Sequence, residues 1–260
     1  MLLAIRSVWI WTASAILVLT WVPLMGIVRL FDRDPLHLRT ARWFRRLGRL
    51  FTRVNPWRIH ITGLEHFDPH QTYVVVSNHQ SLADIPIVSH IRVDAKWMAK
   101  AELFRLPLVG PMLRMAGDVP VDRTDMRKAA RSLLECSKLL RRGCSIVFFP
   151  EGTRSLDGKV LPFNDGPFQL AIREQKPILP LVVEGSGNAL PRHTWIFSEA
   201  QDVQLRVLEP VYCDGYTTKQ TAELRDLVRQ RIVDELDRLR MKPDRTTSGA
   251  IPPEGLVASL

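Results

Sequence analysis

Strand-like and helical patterns alternate from Trp57 to Arg240, and this alternation constrains the fold more than any other feature of the sequence. Seven runs are predicted as strands: 58–62, 72–77, 96–99, 118–121, 144–149, 178–184 and 203–208. Five helical patterns lie between or after them: 82–91, 102–116, 126–141, 166–175 and 221–240. Residues 73–76 and 144–149 are almost continuously apolar, as in strands covered on both faces. We therefore predict an α/β domain over 57–240, with a mostly parallel or mixed sheet flanked by helices.

The chain before this domain opens with a long uncharged segment, residues 7–28. As a helix these residues reach about 33 Å, enough to cross a hydrocarbon core. A helix embedded in one leaflet is an alternative that Pro23 and Gly26 would permit. A cleaved signal peptide is disfavoured, because its apolar region is normally shorter and no small-residue cleavage site follows Met25. We predict an uncleaved membrane helix and favour one that spans.

Basic charge is concentrated directly after this segment. Residues 29–58 hold nine arginines and two aspartates, a net +7 of the chain's +9. The periodicity of 36–54 predicts an amphipathic helix, with an apolar face of Leu36, Trp43, Leu47, Leu50 and Val54 and an opposite face of Arg39, Arg42, Arg46, Arg49 and Arg53. Beside a membrane segment, such a helix favours an anionic lipid surface over nucleic acid. Residues 1–56 are thus predicted to be a membrane anchor.

The distribution of arginines also predicts orientation. Only Arg6 precedes the apolar segment, whereas many arginines follow it. The excess of positive charge places the main domain on the cytoplasmic side of the inner membrane. The three cysteines, an odd number without CxxC spacing, exclude a disulfide framework and are predicted to be reduced packing residues. Residues 241–260 are polar and proline-containing, and we predict a mobile tail.

The first buried strand run ends in Ser-Asn-His-Gln-Ser-Leu-Ala-Asp, residues 77–84. If His79 lies in the turn and Asp84 in the helix that follows, the carboxylate can orient the imidazole and leave one ring nitrogen basic. That pair would be two thirds of a catalytic triad, without a protein nucleophile. The alternative is structural: His79 caps the helix and Asp84 pairs with a surface cation. The spacing leaves both possibilities open.

The second buried run ends in Phe-Pro-Glu-Gly-Thr-Arg-Ser, residues 149–155. Gly152 permits a tight turn and close approach to a ligand, and Arg154 offers a planar fork suited to phosphate. Loop amides and the hydroxyl of Thr153 can also help hold an anion. A surface turn stabilised by an exposed pair between Glu151 and Arg154 is the alternative.

Together, NHxxxxD and FPEGTRS resemble two motifs of the glycerolipid acyltransferase family, to which the bacterial 1-acylglycerol-3-phosphate acyltransferases belong. The resemblance extends from about residue 63 to about residue 187. It implies that His79 is the catalytic base and Asp84 its orienting partner. Residues 117–123 look like the family's second motif, which implies that Arg123 binds the acceptor phosphate. The remaining residues implied to bind substrate are Lys100, Glu151, Gly152, Thr153 and Arg154.

Residues 179–181 are similar to the proline-centred fourth motif of that family. Three positions depart from its pattern. Asp118 and Pro120 stand where the second motif usually has apolar residues, and Asn164 stands where a lysine often follows phenylalanine. The last departure removes a cation near the substrate, so it bears on the identity of the acceptor.

The resemblance implies transfer of a fatty acyl group from a thioester to the free hydroxyl of lysophosphatidate, giving phosphatidate. Another lysophospholipid, a lyso-aminolipid, or a non-catalytic membrane adaptor are the alternatives. The donor would be acyl-CoA or an acylated acyl carrier protein, with no other cofactor and no metal. A serine hydrolase would need a GxSxG elbow, and residues 185–187 are only Gly-Ser-Gly. A zinc site would need the polar loop bearing His60, Glu65, His66, Asp68 and His70 to converge.

Overall fold

The computed structural model describes residues 2–190, 195–197 and 200–241. The helices are α1 Leu2–Leu30, α2 Leu38–Val54, α3 Asp84–Val88, α4 Val109–Ala116, α5 Met126–Arg141, α6 Gly166–Glu174 and α7 Thr221–Met241. The strands are β1 Trp57–Thr62, β2 Val74–Ser77, β3 Ala95–Lys100, β4 Val119–Val121, β5 Ser145–Phe148, β6 Ile178–Glu184 and β7 Gln201–Val207. Apart from Met241, the last residue of α7, the tail predicted for 241–260 lies outside the described residues.

All seven strands join one mixed sheet in the order β1-β7-β6-β2-β5-β3-β4. The five strands β6, β2, β5, β3 and β4 are parallel to one another. Strand β7 pairs with β6 in the antiparallel direction, and β1 pairs with β7 in the parallel direction. The predicted α/β fold with a mostly parallel or mixed sheet is therefore confirmed. Because the five strands run the same way, the loops after them emerge at one edge of the sheet, which we call the carboxyl edge.

Helices cover both faces of the sheet, and alternate residues of a strand reach opposite layers. Val74 and Val76 pack with apolar side chains of α5, α6 and α7. Val75, between them, packs instead with α3 and with Phe51 of α2. A third apolar cluster joins α1 and α2 to α4, through Met25, Ala41 and Met112 among others. The domain thus separates α1 and α2 from α5, α6 and α7 by the thickness of the sheet.

The helix predicted over 102–116 is interrupted, which corrects the sequence-based expectation. A short 3-10 helix, Ala101–Arg105, precedes α4, and residues 106–108 separate the two. Proline disfavours helical geometry in the residue before it and cannot donate a backbone hydrogen bond, so Pro107 ends the first segment. Leu108 then adopts φ 65°, a left-handed conformation in which a helix does not continue.

Two arginines of α2 point into the protein rather than toward a lipid surface. Arg45 forms an ion pair with Asp118 in which Nη2 contacts both carboxylate oxygens, 2.6 Å from Oδ2, and its guanidinium lies 4.8 Å from the ring centroid of Trp97. Arg49 donates to the backbone oxygen of Ser89 at 2.9 Å. The predicted lipid-facing position of Arg49 is therefore wrong, because this side of α2 packs against α3, where a Cβ on Gly48 would lie 2.9 Å from Oγ of Ser89.

Helix α1 lies along the protein over most of its length. Its inward residues recur at helical spacing: Ser7, Ile10, Ser14, Met25 and Val28 are buried, with Leu17 and Trp21 packed between them. About one third of the way along it, Trp11 Nε1 donates to the backbone oxygen of Trp195 at 2.8 Å. About two thirds of the way along it, Trp21 Nε1 donates to the backbone oxygen of Trp43 at 3.0 Å. The opposite stripe, which includes Ile5, Trp9, Ile16, Leu19 and Ile27, is apolar and exposed.

Candidate active site

The two sequence motifs meet because their strands are neighbours at the carboxyl edge. Strand β2 pairs with β5, with Val76 opposite Phe148, so the loops that follow them begin side by side. The backbone amide of Ser155 donates to the backbone oxygen of His79 at 2.8 Å. The histidine loop and the Glu-Gly-Thr-Arg loop are thus joined through their backbones.

His79 and Asp84 form a hydrogen-bonded pair. Nδ1 of His79 lies 2.7 Å from Oδ2 of Asp84, and because a carboxylate only accepts, the proton lies on Nδ1. His79 lies in the loop after β2 and Asp84 is the first residue of α3, so the two side chains meet although they are five residues apart in the sequence. The same Oδ2 accepts from the backbone amides of Gln80 at 2.7 Å and Ser81 at 2.9 Å. Asp84 is fully buried and contacts no lysine or arginine of the described residues in an ion pair.

The imidazole of His79 is also held from one side by an aromatic ring. Phe149 stacks on it with 4.2 Å between ring centroids and 23° between planes. Trp97 supports Phe149 in turn, with 5.9 Å between centroids. The side chain of His79 is 14% exposed, and Nε2 forms no hydrogen bond with the described residues. The ring is therefore fixed in orientation while its second nitrogen stays available.

The side chain of Glu151 is turned into the protein, where it connects the two loops, and is not directed toward solvent. Oε1 accepts from the backbone amide of His79 at 2.7 Å, and Oε2 accepts from that of Leu161 at 2.9 Å. The residue is 7% exposed, and burial raises the pKa of its carboxyl group to about 7. Both oxygens are thus occupied by the protein's own backbone, which indicates a positioning role for a residue expected to bind the acceptor.

Gly152 makes the turn after Glu151 with φ 76°, a conformation that disfavours any side chain. A Cβ there would lie 3.1 Å from Nδ2 of Asn164 and 3.7 Å from Nη1 of Arg123. Asn164 Nδ2 donates to the backbone oxygen of Pro150 at 2.8 Å. The asparagine that departs from the family pattern therefore braces this turn, and Arg123 reaches it from the loop after β4.

The remaining substrate-binding candidates line the exposed rim of the same edge. Arg154 and Thr153 are exposed, and the guanidinium of Arg154 forms no ion pair with the described residues. Arg123 likewise has no ion pair in this part of the chain. Lys100, at the end of β3, lies 3.4 Å from Glu102 in an exposed pair. Two arginines without carboxylate partners can accept an anionic group with little competition from the protein.

Several supporting residues were not predicted from the sequence. Asn78 braces the histidine loop against β6, donating to the backbone oxygen of Val183 and accepting from its amide, both at 2.8 Å. Lys96 is fully buried and donates to the backbone oxygens of His37 and Ala116. Asp118, noted only as a departure from the second motif, also accepts from the backbone amide of Trp97 at 2.9 Å. The sequence did contain a signal for these supporting residues, since each is a charged or amide side chain within or beside an otherwise apolar strand or motif.

The described residues give little support to the two alternative sites considered from the sequence, a zinc site and a serine hydrolase site. Within the described residues, no group of three or more His, Cys, Asp or Glu side chains is arranged to hold a metal. His60 lies beside Asp202, while His66 contacts the backbone oxygen of Val207. Ser186 is buried, and in this part of the chain its hydroxyl has no hydrogen-bond partner. It therefore lacks the histidine contact of a serine nucleophile.

The fold and the site define a class: an α/β protein whose strand-end loops present an oriented histidine, with two arginines at the same edge that form no ion pair within the described residues. The sequence model of the acyltransferase family matches residues 58–184. The chain belongs to this acyltransferase family.

Known relatives carry consistent names. A chloroplastic 1-acyl-sn-glycerol-3-phosphate acyltransferase of Brassica napus is 35% identical over 157 residues, 60% of this chain and 46% of that protein. The alpha form of mouse, Mus musculus, is 35% identical over 178 residues, 68% of this chain and 62% of that protein. The matches thus span about half to three fifths of these relatives. The crystal structure of the 1-acyl-sn-glycerophosphate acyltransferase PlsC of Thermotoga maritima superposes with a TM-score of 0.77, at 25% identity, covering 94% of this chain and 98% of that one.

Proposed function

We propose that this protein transfers a fatty acyl group from an acyl thioester to the free hydroxyl of lysophosphatidate, giving phosphatidate for phospholipid synthesis. The observation that carries the proposal is the pair of His79 and Asp84, with an available Nε2, beside Arg123 and Arg154 at one edge of the sheet. The names of the matched relatives and of the Thermotoga structure support the choice of acceptor.

In the proposed mechanism His79 acts as a general base. Nε2 takes the proton of the acceptor hydroxyl as its oxygen attacks the thioester carbonyl, and Asp84 stabilises the imidazolium that forms. Collapse of the tetrahedral intermediate breaks the carbon–sulfur bond, and the thiolate leaves with that proton. The described residues place no serine or cysteine in hydrogen-bond contact with Nε2, which favours direct transfer over an acyl-enzyme.

The acceptor phosphate is proposed to lie at the rim formed by Arg154 and Arg123, with Lys100 and Thr153 nearby on the same edge. A guanidinium can hold phosphate by two parallel hydrogen bonds, which fixes the direction of the glycerol as well as its position. Holding the hydroxyl within reach of Nε2 converts an encounter of two substrates into a reaction of positioned groups. The turn at Gly152 allows this approach because no side chain fills it.

We infer a membrane location, which is supported by α1, a helix long and apolar enough to cross a bilayer by length and composition. Contacts with the rest of the protein recur along α1 from Ser7 to Val28, which favours a helix embedded in one leaflet over one that spans. Its exposed apolar stripe would then face lipid, so that the lipid acceptor can reach the site without entering water. The arginine distribution favours the cytoplasmic side of the inner membrane.

The test is acyl transfer from a labelled long-chain acyl-CoA to lysophosphatidate in mixed micelles, comparing wild type with His79→Ala. We expect phosphatidate from wild type and loss of nearly all turnover from the variant. His60→Ala is the matched control, since His60 is a partly exposed histidine paired with Asp202 outside the site. Near-normal turnover by folded His79→Ala would refute the mechanism.

A panel of acceptors then tests the substrate. Other lysophospholipids and lyso-aminolipids are assayed with both acyl-CoA and acyl-carrier-protein donors. Preference for lysophosphatidate supports the proposal, and preference for another acceptor corrects it. No turnover with any donor or acceptor would favour a non-catalytic membrane adaptor.

A further inference from the structure

Helix α5 carries a strip of exposed basic side chains that the proposed chemistry does not use. Residues 122–142 hold seven basic and three acidic side chains, a net charge of +4. Arg127, Arg131 and Lys138 recur at helical spacing on the exposed face, with Ala130 and Leu134 between them. We call these five residues the α5 strip.

Among the described residues, one cation of the strip has a carboxylate partner. Lys138 lies 3.1 Å from Glu135, an exposed pair of little energetic weight. The guanidinium groups of Arg127 and Arg131 form no ion pair or hydrogen bond with the described residues. By contrast, Lys128 on the next position pairs with Asp122 at 3.1 Å, and Arg141 pairs with Glu174 at 2.6 Å. The protein thus leaves unpaired the two arginines nearest the start of the helix.

The location of these arginines connects them to the active site. Helix α5 begins directly after the loop that carries Arg123, whose Nη1 lies 3.7 Å from the point that a Cβ at Gly152 would occupy. Ser132 Oγ donates to the backbone oxygen of Pro120 at 2.7 Å, which fixes the helix against β4. The helix then runs back toward the amino edge, so Arg127 and Arg131 lie at its active-site end. From Arg127 to Lys138 the strip extends about 17 Å.

The shape and the face of the strip restrict what could bind there. It is a convex helix surface, whereas small ligands such as a free nucleotide bind in concave sites. It lies on the face of the sheet opposite the layer that carries α1 and α2, and so it faces away from the proposed lipid layer. Exposed Leu134, 53% accessible among the cations, suits a protein partner that also contributes apolar contact.

We propose that the α5 strip docks an acidic carrier protein that delivers the acyl thioester. This proposal rests on the proposed acyl transfer and identifies the class of its donor. The positive strip would attract and orient an acidic partner from the aqueous side, and the thioester arm would reach the carboxyl edge past the start of α5. A coenzyme A donor carries no protein surface and would not need the strip.

The test compares two donors bearing the same acyl chain, acyl carrier protein and coenzyme A, with the full chain in lysophosphatidate micelles. For the double variant Arg127→Glu/Arg131→Glu, we expect kcat/KM for the carrier-protein donor to fall at least tenfold, chiefly through KM. Turnover of acyl-CoA should stay within twofold, which also shows that the variant folds. Raising the salt from 50 to 500 mM should weaken the carrier-protein reaction of wild type selectively.

Arg142→Glu is the control, a single charge reversal just after the last residue of the helix and about 22 Å from Arg127. It should leave both donors unchanged. Three outcomes would overturn the docking surface: a wild type that uses only acyl-CoA, a double variant that loses both donors equally, or an Arg142→Glu effect as large as that of the double variant. The first leaves the proposed acyl transfer intact, whereas absence of turnover with both donors overturns the transfer itself.

Discussion

Oε1 of Glu151 accepts a hydrogen bond of 2.7 Å from the backbone amide of His79, which joins the loop of residues 149–155 to the histidine loop. The other oxygen of the same carboxyl group accepts from Leu161. A residue of the Glu-Gly-Thr-Arg loop therefore helps to hold the backbone of His79, the proposed base. The histidine is oriented by Asp84 through its ring and by Glu151 through its main chain.

Asp84→Asn should lower kcat by about 10³- to 10⁴-fold with little change in the KM for lysophosphatidate. An asparagine can present its amide to Nδ1, which would favour the proton on Nε2 and remove the basic nitrogen. Steady-state kinetics of acyl transfer measure this effect. Asp202→Asn, at an exposed carboxylate beside His60, is the control. A kcat within threefold of wild type would contradict the assigned pair.

Arg154→Ala should raise the KM for lysophosphatidate about 10- to 100-fold and change kcat much less. Charge-assisted hydrogen bonds contribute about 1.5–3 kcal/mol, and those to a phosphate are present before the transition state as well as in it. The measurement is a titration of lysophosphatidate at saturating donor, with Arg142→Ala as an exposed arginine outside the site. A loss confined to kcat would assign Arg154 to the reacting centre instead of the phosphate.

Glu151→Gln should become more stable relative to wild type as pH rises from 5 to 8. The folded-state pKa of Glu151 is about 7, above its usual 4.5, so the folded protein holds this proton more tightly than the unfolded chain. Stability is therefore lost as pH rises from about 4.5 to about 7, by up to about 3 kcal/mol. Glutamine carries no charge and escapes this loss.

Denaturant unfolding at several pH values measures this difference. Glu135→Gln, at an exposed carboxylate paired with Lys138, should show no comparable trend. If the stability difference between Glu151→Gln and wild type were constant with pH, the carboxyl group of Glu151 would have an ordinary pKa in the folded protein.

Asp118→Ala should cost about 3–5 kcal/mol of unfolding free energy, because it leaves Arg45 unpaired at 11% exposure and also removes the acceptor for the amide of Trp97. Asp94→Ala removes the partner of Arg42 in an exposed pair and should cost less than about 1 kcal/mol. Denaturant unfolding of Asp118→Ala and Asp94→Ala, measured in one and the same detergent solution, compares the two losses of stability. Equal losses would show that the pair of Arg45 and Asp118 does not lock α2 onto the sheet.

Much of the site could be predicted because its residues follow strands whose hydrophobic runs are evident in the sequence. Once β2 and β5 are parallel neighbours, His79 and Glu151 must emerge at the same edge. The interruption of the predicted 102–116 helix also had a local signal in Pro107, which the periodicity outweighed. The contacts of Arg45 and Arg49 with the rest of the protein had no such signal, because the pattern of α2 does not distinguish which of its faces meets the protein.

The sequence by itself determined the strands, most of the helices and the edge on which the motif residues lie, since these depend on local hydrophobic patterns and on chain direction. Only the tertiary structure decided the strand order, the position of α1 along the domain, and the partners of Arg45 and Glu151. Those contacts join residues far apart in the chain, such as Arg45 with Asp118 and His79 with Glu151. Such pairings arise when the layers pack, and no local pattern specifies them.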